Sequence, residues 1–137
     1  MNATDSIAEI VDQLIGTPYR CGGRDPVSGL DCWGVVVAVR RRLGLPVEDV
    51  LGYPEDWSAK GQGHLDREVV RGPWDRIAEP GPGDVALYAT RRDGIADHAG
   101  IVIDRTWGAQ QRRGTALHRY RLEAMRPFLV GYFRRRT

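Results

Sequence analysis

The sequence is poor in lysine, cysteine and histidine, and these shortages narrow the possible chemistry. Lys60 is the only lysine, so nearly all of the 20 basic residues are arginine, and the net charge of +2 is too small to indicate nucleic-acid binding. The chain has two cysteines and three histidines, and none of them form a cluster with zinc-type spacing. No Gly-Lys-Ser/Thr follows its glycine pairs, as a phosphate-binding loop would require. We therefore predict no metal, no cofactor and no nucleic-acid partner.

Long apolar runs are also absent. No stretch approaches the roughly 20 apolar residues of a membrane-spanning helix, so membrane insertion is not predicted. A chain of 137 residues with 17 glycines and eight prolines is typical of a compact, loop-rich protein. No repeat or linker marks a second unit, and residues 1–137 are predicted to form one domain.

The order of predicted elements indicates an α+β fold. A capping-box sequence at Ser6 predicts a first helix that ends at Gly16, and a second helix is expected from Cys32 to about Leu43. Strands are predicted at residues 85–88, 99–103, 116–120 and 130–133, with only a short helix, within 65–70, in the poorly periodic segment 47–80. Helices followed by antiparallel strands predict N-terminal helices packed on a small sheet.

Cys32 lies where a glycine-rich loop, residues 17–30, becomes an apolar helix. Asp31 is a good N-cap, which places Cys32 in the first helical turn. Unpaired backbone N–H groups and the helix dipole stabilise a thiolate there, and such settings lower the pKa of a thiol to roughly 3.5–7.5. The position predicts a nucleophile, although a buried cysteine without chemistry is the alternative. Cys21 is expected to fill space, and a disulfide between the two is not expected.

His98 is the best candidate for a partner of Cys32. It opens the apolar run of residues 99–103, which predicts a buried strand, and a cysteine with a histidine is the minimum for an activated thiol. His64 is expected in a solvated loop. His118 alternates with apolar residues in a predicted strand, so it faces either solvent or a groove.

Four segments in this order resemble the NlpC family of papain-like cysteine peptidases, which cut bacterial cell-wall peptides: residues 16–23 (GTPYRCGG), 29–34 (GLDCWG), 82–85 (PGDV) and 98–101 (HAGI). Trp33 directly after the cysteine, together with the ending at residues 130–134 (VGYFR), is similar to the branch found in phage tails. The resemblance implies that Cys32 is the nucleophile, His98 the general base and Tyr19 part of the oxyanion site. Asp84 matches a structural turn before the first core strand.

The same resemblance implies a third polar residue that orients the histidine ring, usually His and sometimes Asn or Gln. Residues 105–111 contain no histidine. Counting forward from His98 reaches Gln110, whereas aligning from Ala109 and Gly114 reaches Gly108, which has no side chain to serve. Gln111 or a backbone carbonyl remains a further alternative. A weak orienter lowers the rate because the ring adopts the wrong tautomer more often.

The resemblance implies hydrolysis of peptidoglycan stem peptides, typically at the bond between D-glutamate and a diamino acid. Arg20 and Arg24 are expected to bind substrate carboxylates, with Asp31 and Trp33 also at the substrate. Without an export signal at its start, the chain is expected to be made in the cytoplasm and to act at the cell wall from a phage tail or tail-like particle, beside other particle proteins. The alternative is a catalytically impaired structural or assembly subunit of the tail.

Two arginine clusters complete the predictions. Residues 40–42 are expected on the solvent face of the second helix and residues 134–136 in a frayed tail. Contact of either cluster with anionic cell wall or with a partner subunit is the alternative.

Overall fold

A computed structural model describes residues 3–50, 52–53 and 63–137. Within these residues the two helices are α1 (Ala3–Leu14) and α2 (Cys32–Arg42). The strands are β1 (Arg24–Asp25), β2 (Gly29–Leu30), β3 (Trp74–Ile77), β4 (Val85–Tyr88), β5 (His98–Val102), β6 (Trp107–Gln110), β7 (His118–Arg121) and β8 (Leu129–Arg135). A π-helical turn, Asp66–Val70, precedes β3, and a 3-10 helix, Leu122–Phe128, precedes β8. The predicted α+β class is confirmed.

Six of the strands form one antiparallel sheet in the order β3-β8-β4-β5-β6-β7, and β1 and β2 form a separate small hairpin. The main core lies between this sheet and the helices. Ile7, Val11 and Leu14 of α1 are buried, as are the valines of α2, while β5 contributes Ala99 and Ile101. The predicted packing of N-terminal helices on an antiparallel sheet is therefore confirmed.

The other face of the sheet carries a second apolar cluster that includes Tyr88 and Tyr120, whose hydroxyl oxygens lie 2.6 Å apart. The 3-10 helix contributes Leu122 and Met125 to it. Gly100 lies beneath this cluster, and a Cβ there would approach the Tyr120 hydroxyl to 2.3 Å. The strand position two residues after His98 therefore favours glycine.

Several element boundaries differ from the sequence predictions. Helix α1 begins at Ala3 rather than at Ser6, because the turn containing Asp5 already continues into the helix and its carboxylate suits a helix N-terminus. Helix α2 ends at Arg42, close to the predicted end, and Gly44 follows at φ 72°. Four strands were not predicted, because all of them are short and show no clear alternation: β1 and β2 have two residues each, and β3 and β6 have four.

The two arginine clusters are not simple solvated surfaces. Arg40 is only 4% exposed, donates to the carbonyl oxygens of Gly83 and Pro46, and lies over the Trp74 ring, whereas Arg41 and Arg42 are exposed. The prediction of a frayed tail at 134–136 is wrong. Strand β8 runs to Arg135, and the three arginines pair with Asp84, Glu48 and Asp75.

His64 is also a correction, since it is only 4% exposed and stacks on Tyr53 with ring centroids 4.3 Å apart. The polar segment around it predicted a solvated side chain, and tertiary stacking on an aromatic ring buries it instead. In the part of the chain that the structure describes, no helix combines the length and apolar character needed to cross a bilayer.

Candidate active site

A cavity of about 180 Å³ opens beside the first residues of α2 and β5. Tyr19, Cys32 and His98, three residues predicted to act together, all line it. The rest of the lining is Thr90, Asp97, Gln111, Arg112 and Arg113. The fold thus brings the Cys32 thiol of α2 and the His98 imidazole of β5, which are distant in sequence, to the same cavity.

The side chain of Asp31 holds the N-terminus of α2 and thereby the position of Cys32. Its Oδ1 accepts from the Gly34 N–H at 2.8 Å as an N-cap, and its Oδ2 accepts from the Gly22 N–H at 2.8 Å. The loop and helix approach so closely that a Cβ on Gly34 would lie 2.4 Å from the Gly23 carbonyl oxygen. This close packing fixes the turn from which Cys32 projects.

Arg24 completes this scaffold and has no N–H left for a substrate. Its guanidinium donates to both Asp31 and Asp49 at 2.8 Å, to the carbonyl oxygens of Gly23 and Val50, and to the Tyr53 hydroxyl. These bonds use all five N–H donors of an arginine side chain. The predicted carboxylate binding by Arg24 is therefore not available in this structure.

The other predicted substrate residues lie outside the cavity as well. Asp31 is 1% exposed and Trp33 is 0% exposed, and the indole N–H of Trp33 donates to the Glu48 carbonyl oxygen at 3.1 Å. Neither side chain can contact a substrate in this structure, because both are buried at the start of α2. Arg20 is exposed but does not line the cavity, and its binding of substrate stays a prediction.

The Cys32 thiol is 5% exposed, and burial raises its pKa to about 12. The Asp31 carboxylate raises the pKa further, while the backbone N–H groups of Ala99 and Trp33 lower it. The predicted lowering of this pKa is wrong for the free protein, because desolvation of the sulfur outweighs the helix N-terminus. Cys32 accordingly rests as a thiol, and both it and Cys21 are free of disulfides.

His98 is neutral for the same reason. Burial lowers the pKa of its imidazole to about 4, and the hydrogen bond with Gln110 opposes that effect. The His98 Nε2 lies 2.8 Å from Gln110 Oε1. Because the amide oxygen only accepts, Nε2 carries the proton in this arrangement and Nδ1 has a free lone pair. The cavity is therefore lined by a neutral imidazole and a neutral thiol.

Of the three side-chain positions considered for the orienter, Gln110 is the one hydrogen-bonded to His98. Gly100 pairs with Gln110 across β5 and β6, so His98, two residues before Gly100, has its side chain on the same face. Gly108 lies under Tyr120, and Gln111 donates instead to the Thr17 carbonyl oxygen at 2.7 Å. Gln110 is the residue that counting forward along the sequence from His98 had reached.

Tyr19 lies in the cavity wall as an uncharged phenol. Burial raises its pKa to about 12, and the Arg113 guanidinium lies over its ring, 5.6 Å from the centroid. A protonated phenol can donate a hydrogen bond to an oxygen that gains negative charge. Its part in an oxyanion site stays a prediction.

Sequence reasoning missed the two arginines of the cavity, Arg112 and Arg113. Both follow β6, which was not predicted, so nothing in the sequence placed them beside His98. Asp97, also in the lining, accepts from the Thr90 N–H at 2.9 Å and from its hydroxyl, and so closes the loop that leads into β5. Among the described residues, no group of three His, Cys, Asp or Glu side chains is arranged to hold a metal ion.

A thiol at a helix N-terminus and an imidazole on an adjacent strand, sharing one cavity, are the pair of groups that cysteine peptidases use. The chain belongs to the NlpC/P60 family, whose model matches residues 16–131. This is a family of peptidoglycan hydrolases and endopeptidases.

Relatives of known structure or function agree with this assignment. Over 91 residues, or 66% of the chain and 30% of the relative, the chain is 33% identical to murein DD-endopeptidase MepH of Escherichia coli K12. An NlpC/P60 protein of Bacillus cereus matches with a TM-score of 0.69 at 17% identity, covering 99% of this chain and 40% of that one. The NlpC/P60 domain of peptidoglycan hydrolase SagA matches with a TM-score of 0.60 at 20% identity, and the match covers 100% of both chains. The chain thus spans about a third of the curated relative.

Proposed function

We propose that this chain is a cysteine endopeptidase that hydrolyses peptide bonds of peptidoglycan, with Cys32 as nucleophile and His98 as base. The observation that carries the proposal is the shared cavity, in which a buried thiol and a neutral imidazole bonded to Gln110 face the same space. Membership of the NlpC/P60 family supports the substrate class.

In the proposed reaction the thiol proton moves to Nδ1 of His98 as the Cys32 sulfur forms a bond to the substrate carbonyl carbon. The carbonyl oxygen becomes an oxyanion, which the Tyr19 hydroxyl and backbone N–H groups at the start of α2 stabilise. The C–N bond then breaks, and the imidazolium returns the proton to the leaving amine. His98 next takes a proton from water as the water oxygen attacks the thioester carbon. The C–S bond then breaks, the imidazolium returns that proton to the Cys32 sulfur, and the product leaves as a carboxylic acid that ionises in solvent.

The neutral resting state suits this sequence of steps. A buried thiol and a buried imidazole keep their total charge at zero before and after proton transfer between them, so the site never holds an unpaired buried charge. The cost of ionising each group alone is what raises the pKa of Cys32 and lowers that of His98. In the proposed reaction, proton transfer accompanies attack on the carbonyl.

The substrate that we propose is a stem peptide cut between D-glutamate and a diamino acid. Peptidoglycan stem peptides carry free carboxylates, and Arg112 and Arg113 in the cavity lining offer guanidinium groups suited to them. One observation favours a different cleavage site as the second candidate. The E. coli relative is named a DD-endopeptidase, which points to a bond between residues of D configuration.

We further propose that the chain works as a component of a phage tail or tail-like particle. The support is the sequence likeness of Trp33 and the ending at 130–134 to that branch of the family. The alternative, a structural subunit with impaired catalysis, is favoured by an amide at Gln110, where the family usually has histidine. Mass spectrometry of purified particles from the source would detect the chain there if the particle proposal is correct.

The decisive experiment compares the protein with its Cys32→Ala variant on purified diaminopimelate-type peptidoglycan, with released fragments identified by mass spectrometry. Cys21→Ala is the matched control, because it removes the other thiol. We expect new amine-ended fragments from the protein and the control but not from Cys32→Ala. The mass of the fragments distinguishes the D-glutamyl bond from a DD cross-link. Absence of cleavage by all three folded, reduced proteins would reject the enzyme and favour the structural subunit.

A further inference from the structure

We infer that His118 is a positioning residue that fixes the orientation of the Gln110 amide and, through it, the tautomer of His98. The inference rests on the proposed roles of Cys32 and His98. No sequence motif indicated it, since His118 was predicted only to lie on a strand.

The sheet register places the three side chains in one row. Gln110 of β6 pairs directly with His118 of β7, so the two side chains leave the sheet on the same face. His98 lies on that face of β5, diagonal to Gln110. The resulting contacts are 2.8 Å from His98 Nε2 to Gln110 Oε1 and 3.2 Å from Gln110 Nε2 to His118 Nε2.

The direction of the hydrogen bonds follows from the far end of this row. His118 Nδ1 lies 2.8 Å from the Ala116 carbonyl oxygen, which can only accept, so Nδ1 carries the proton. In neutral His118 the Nε2 atom then has a lone pair and no proton. It accepts from Gln110, which must therefore turn its NH₂ group towards His118 and its oxygen towards His98.

The orientation of the Gln110 amide determines which nitrogen of His98, the proposed base, carries the proton. Facing the amide oxygen, His98 donates from Nε2 and keeps Nδ1 free to accept the thiol proton. If the amide rotated by half a turn, its NH₂ group would face His98, and the proton would move to Nδ1. The imidazole could then no longer accept from Cys32. Without His118 a glutamine has no preference between these orientations, because either one forms a hydrogen bond with His98.

The prediction is tested by changing the hydrogen-bonding character of residue 118, which is half-buried and can hold other side chains. His118→Glu offers only acceptors, His118→Lys only donors and His118→Leu neither. Two readouts need no peptidoglycan: the ¹⁵N chemical shifts of the His98 ring, which report its tautomer, and the rate at which iodoacetamide alkylates Cys32. They remain informative whether or not the protein cleaves cell wall.

We expect an Nε2-protonated His98 and an unchanged alkylation rate in His118→Glu, a mixture of tautomers and about half the rate in His118→Leu, and mainly Nδ1-protonated His98 in His118→Lys. The last variant should lose about tenfold in alkylation rate, equivalent to about 1.4 kcal/mol. A merely structural role predicts similar losses in all three variants.

The same substitutions at position 118, repeated in a Gln110→Leu protein, show whether residue 118 acts on His98 through the Gln110 amide or directly through its charge. In Gln110→Leu the row is interrupted, so exchanging Glu for Lys at position 118 should change the alkylation rate by less than twofold. The inference is overturned if His118→Lys retains the Nε2 tautomer and the full rate, or if the Glu-to-Lys difference persists in Gln110→Leu.

Discussion

The Asp31 carboxylate accepts four hydrogen bonds at the start of α2, from Gly22, Arg24, Gly34 and Tyr53. We expect Asp31→Ala to lower the free energy of unfolding by about 4 kcal/mol. Loss of the N-cap costs about 1 kcal/mol. Removing one partner of a buried ion pair costs about 3–5 kcal/mol, and the lower end applies because Arg24 keeps its second carboxylate, Asp49.

Urea unfolding followed by tryptophan fluorescence measures this change, because Trp33 is buried next to the substituted residue. Asp25→Ala is the matched control, since Asp25 is exposed in the same loop and, among the described residues, accepts a local bond from the Val27 N–H at 2.9 Å. The control should change stability by less than about 1 kcal/mol. A double-mutant cycle of Asp31→Asn with Arg24→Met should give a coupling of at least about 2 kcal/mol.

The scaffold role is refuted if Asp31→Ala unfolds within about 1 kcal/mol of the parent protein and instead raises KM for peptidoglycan fragments. That outcome would restore the prediction made from the sequence, in which Asp31 and Arg24 contact substrate. An unchanged KM in a destabilised variant would support the structural assignment.

Three further predictions concern the cavity and its surroundings. The pKa of His98 is about 4 in the folded protein and 6.5 in the unfolded chain, so the unfolded state takes up the proton first and stability falls as pH drops from 6.5 towards 4. Between pH 7 and 5 the free energy of unfolding of His98→Gln should therefore fall by about 2 kcal/mol less than that of the parent protein, and an equal fall would contradict the lowered pKa. Gly100→Ala should lower the free energy of unfolding by about 1–3 kcal/mol, because the new Cβ meets the Tyr120 hydroxyl, and adding Tyr120→Phe should restore part of that loss in thermal unfolding. If the stability losses of the two substitutions simply add, there is no clash between these side chains. Arg112→Gln should raise KM for a stem peptide about tenfold with kcat nearly unchanged, whereas Arg42→Gln, on exposed helix surface, should leave both unchanged; equal effects of the two would remove Arg112 from substrate binding.

Local signals in the sequence were sufficient for the elements that hold the site. The glycine-rich loop, the N-cap at Asp31 and the apolar run after Cys32 predict α2 because capping and turn formation depend on neighbouring residues. Strand β4 was predicted with its observed ends, and β5 within one residue. These elements bring Cys32 and His98 to one cavity.

What the sequence could not provide depends on burial and on strand pairing. The short strand β6 has no pattern of its own, and it forms because β5 and β7 pair with its two edges. Its register decides that Gln110, rather than Gln111, meets His98. Arg40 and His64 carry polar atoms that predict solvent exposure, yet tertiary contacts bury both. Burial likewise reverses the expected shift in the pKa of Cys32, since the desolvation of a sulfur depends on residues remote in sequence.

The neutral state of the cavity makes the tautomer of His98 more important than it would be in a charged pair. An imidazolium beside a thiolate donates from both nitrogens, so the partner at Nε2 only holds the ring. A neutral imidazole has one accepting nitrogen, and it serves as a base only if that nitrogen faces the thiol. Burial keeps both Cys32 and His98 uncharged, so whichever group fixes the Nε2 proton also determines whether the thiol has a base at all. The amide of Gln110 can present either an oxygen or an NH₂ group, so in the proposed mechanism its orientation by His118 decides whether His98 can accept the thiol proton.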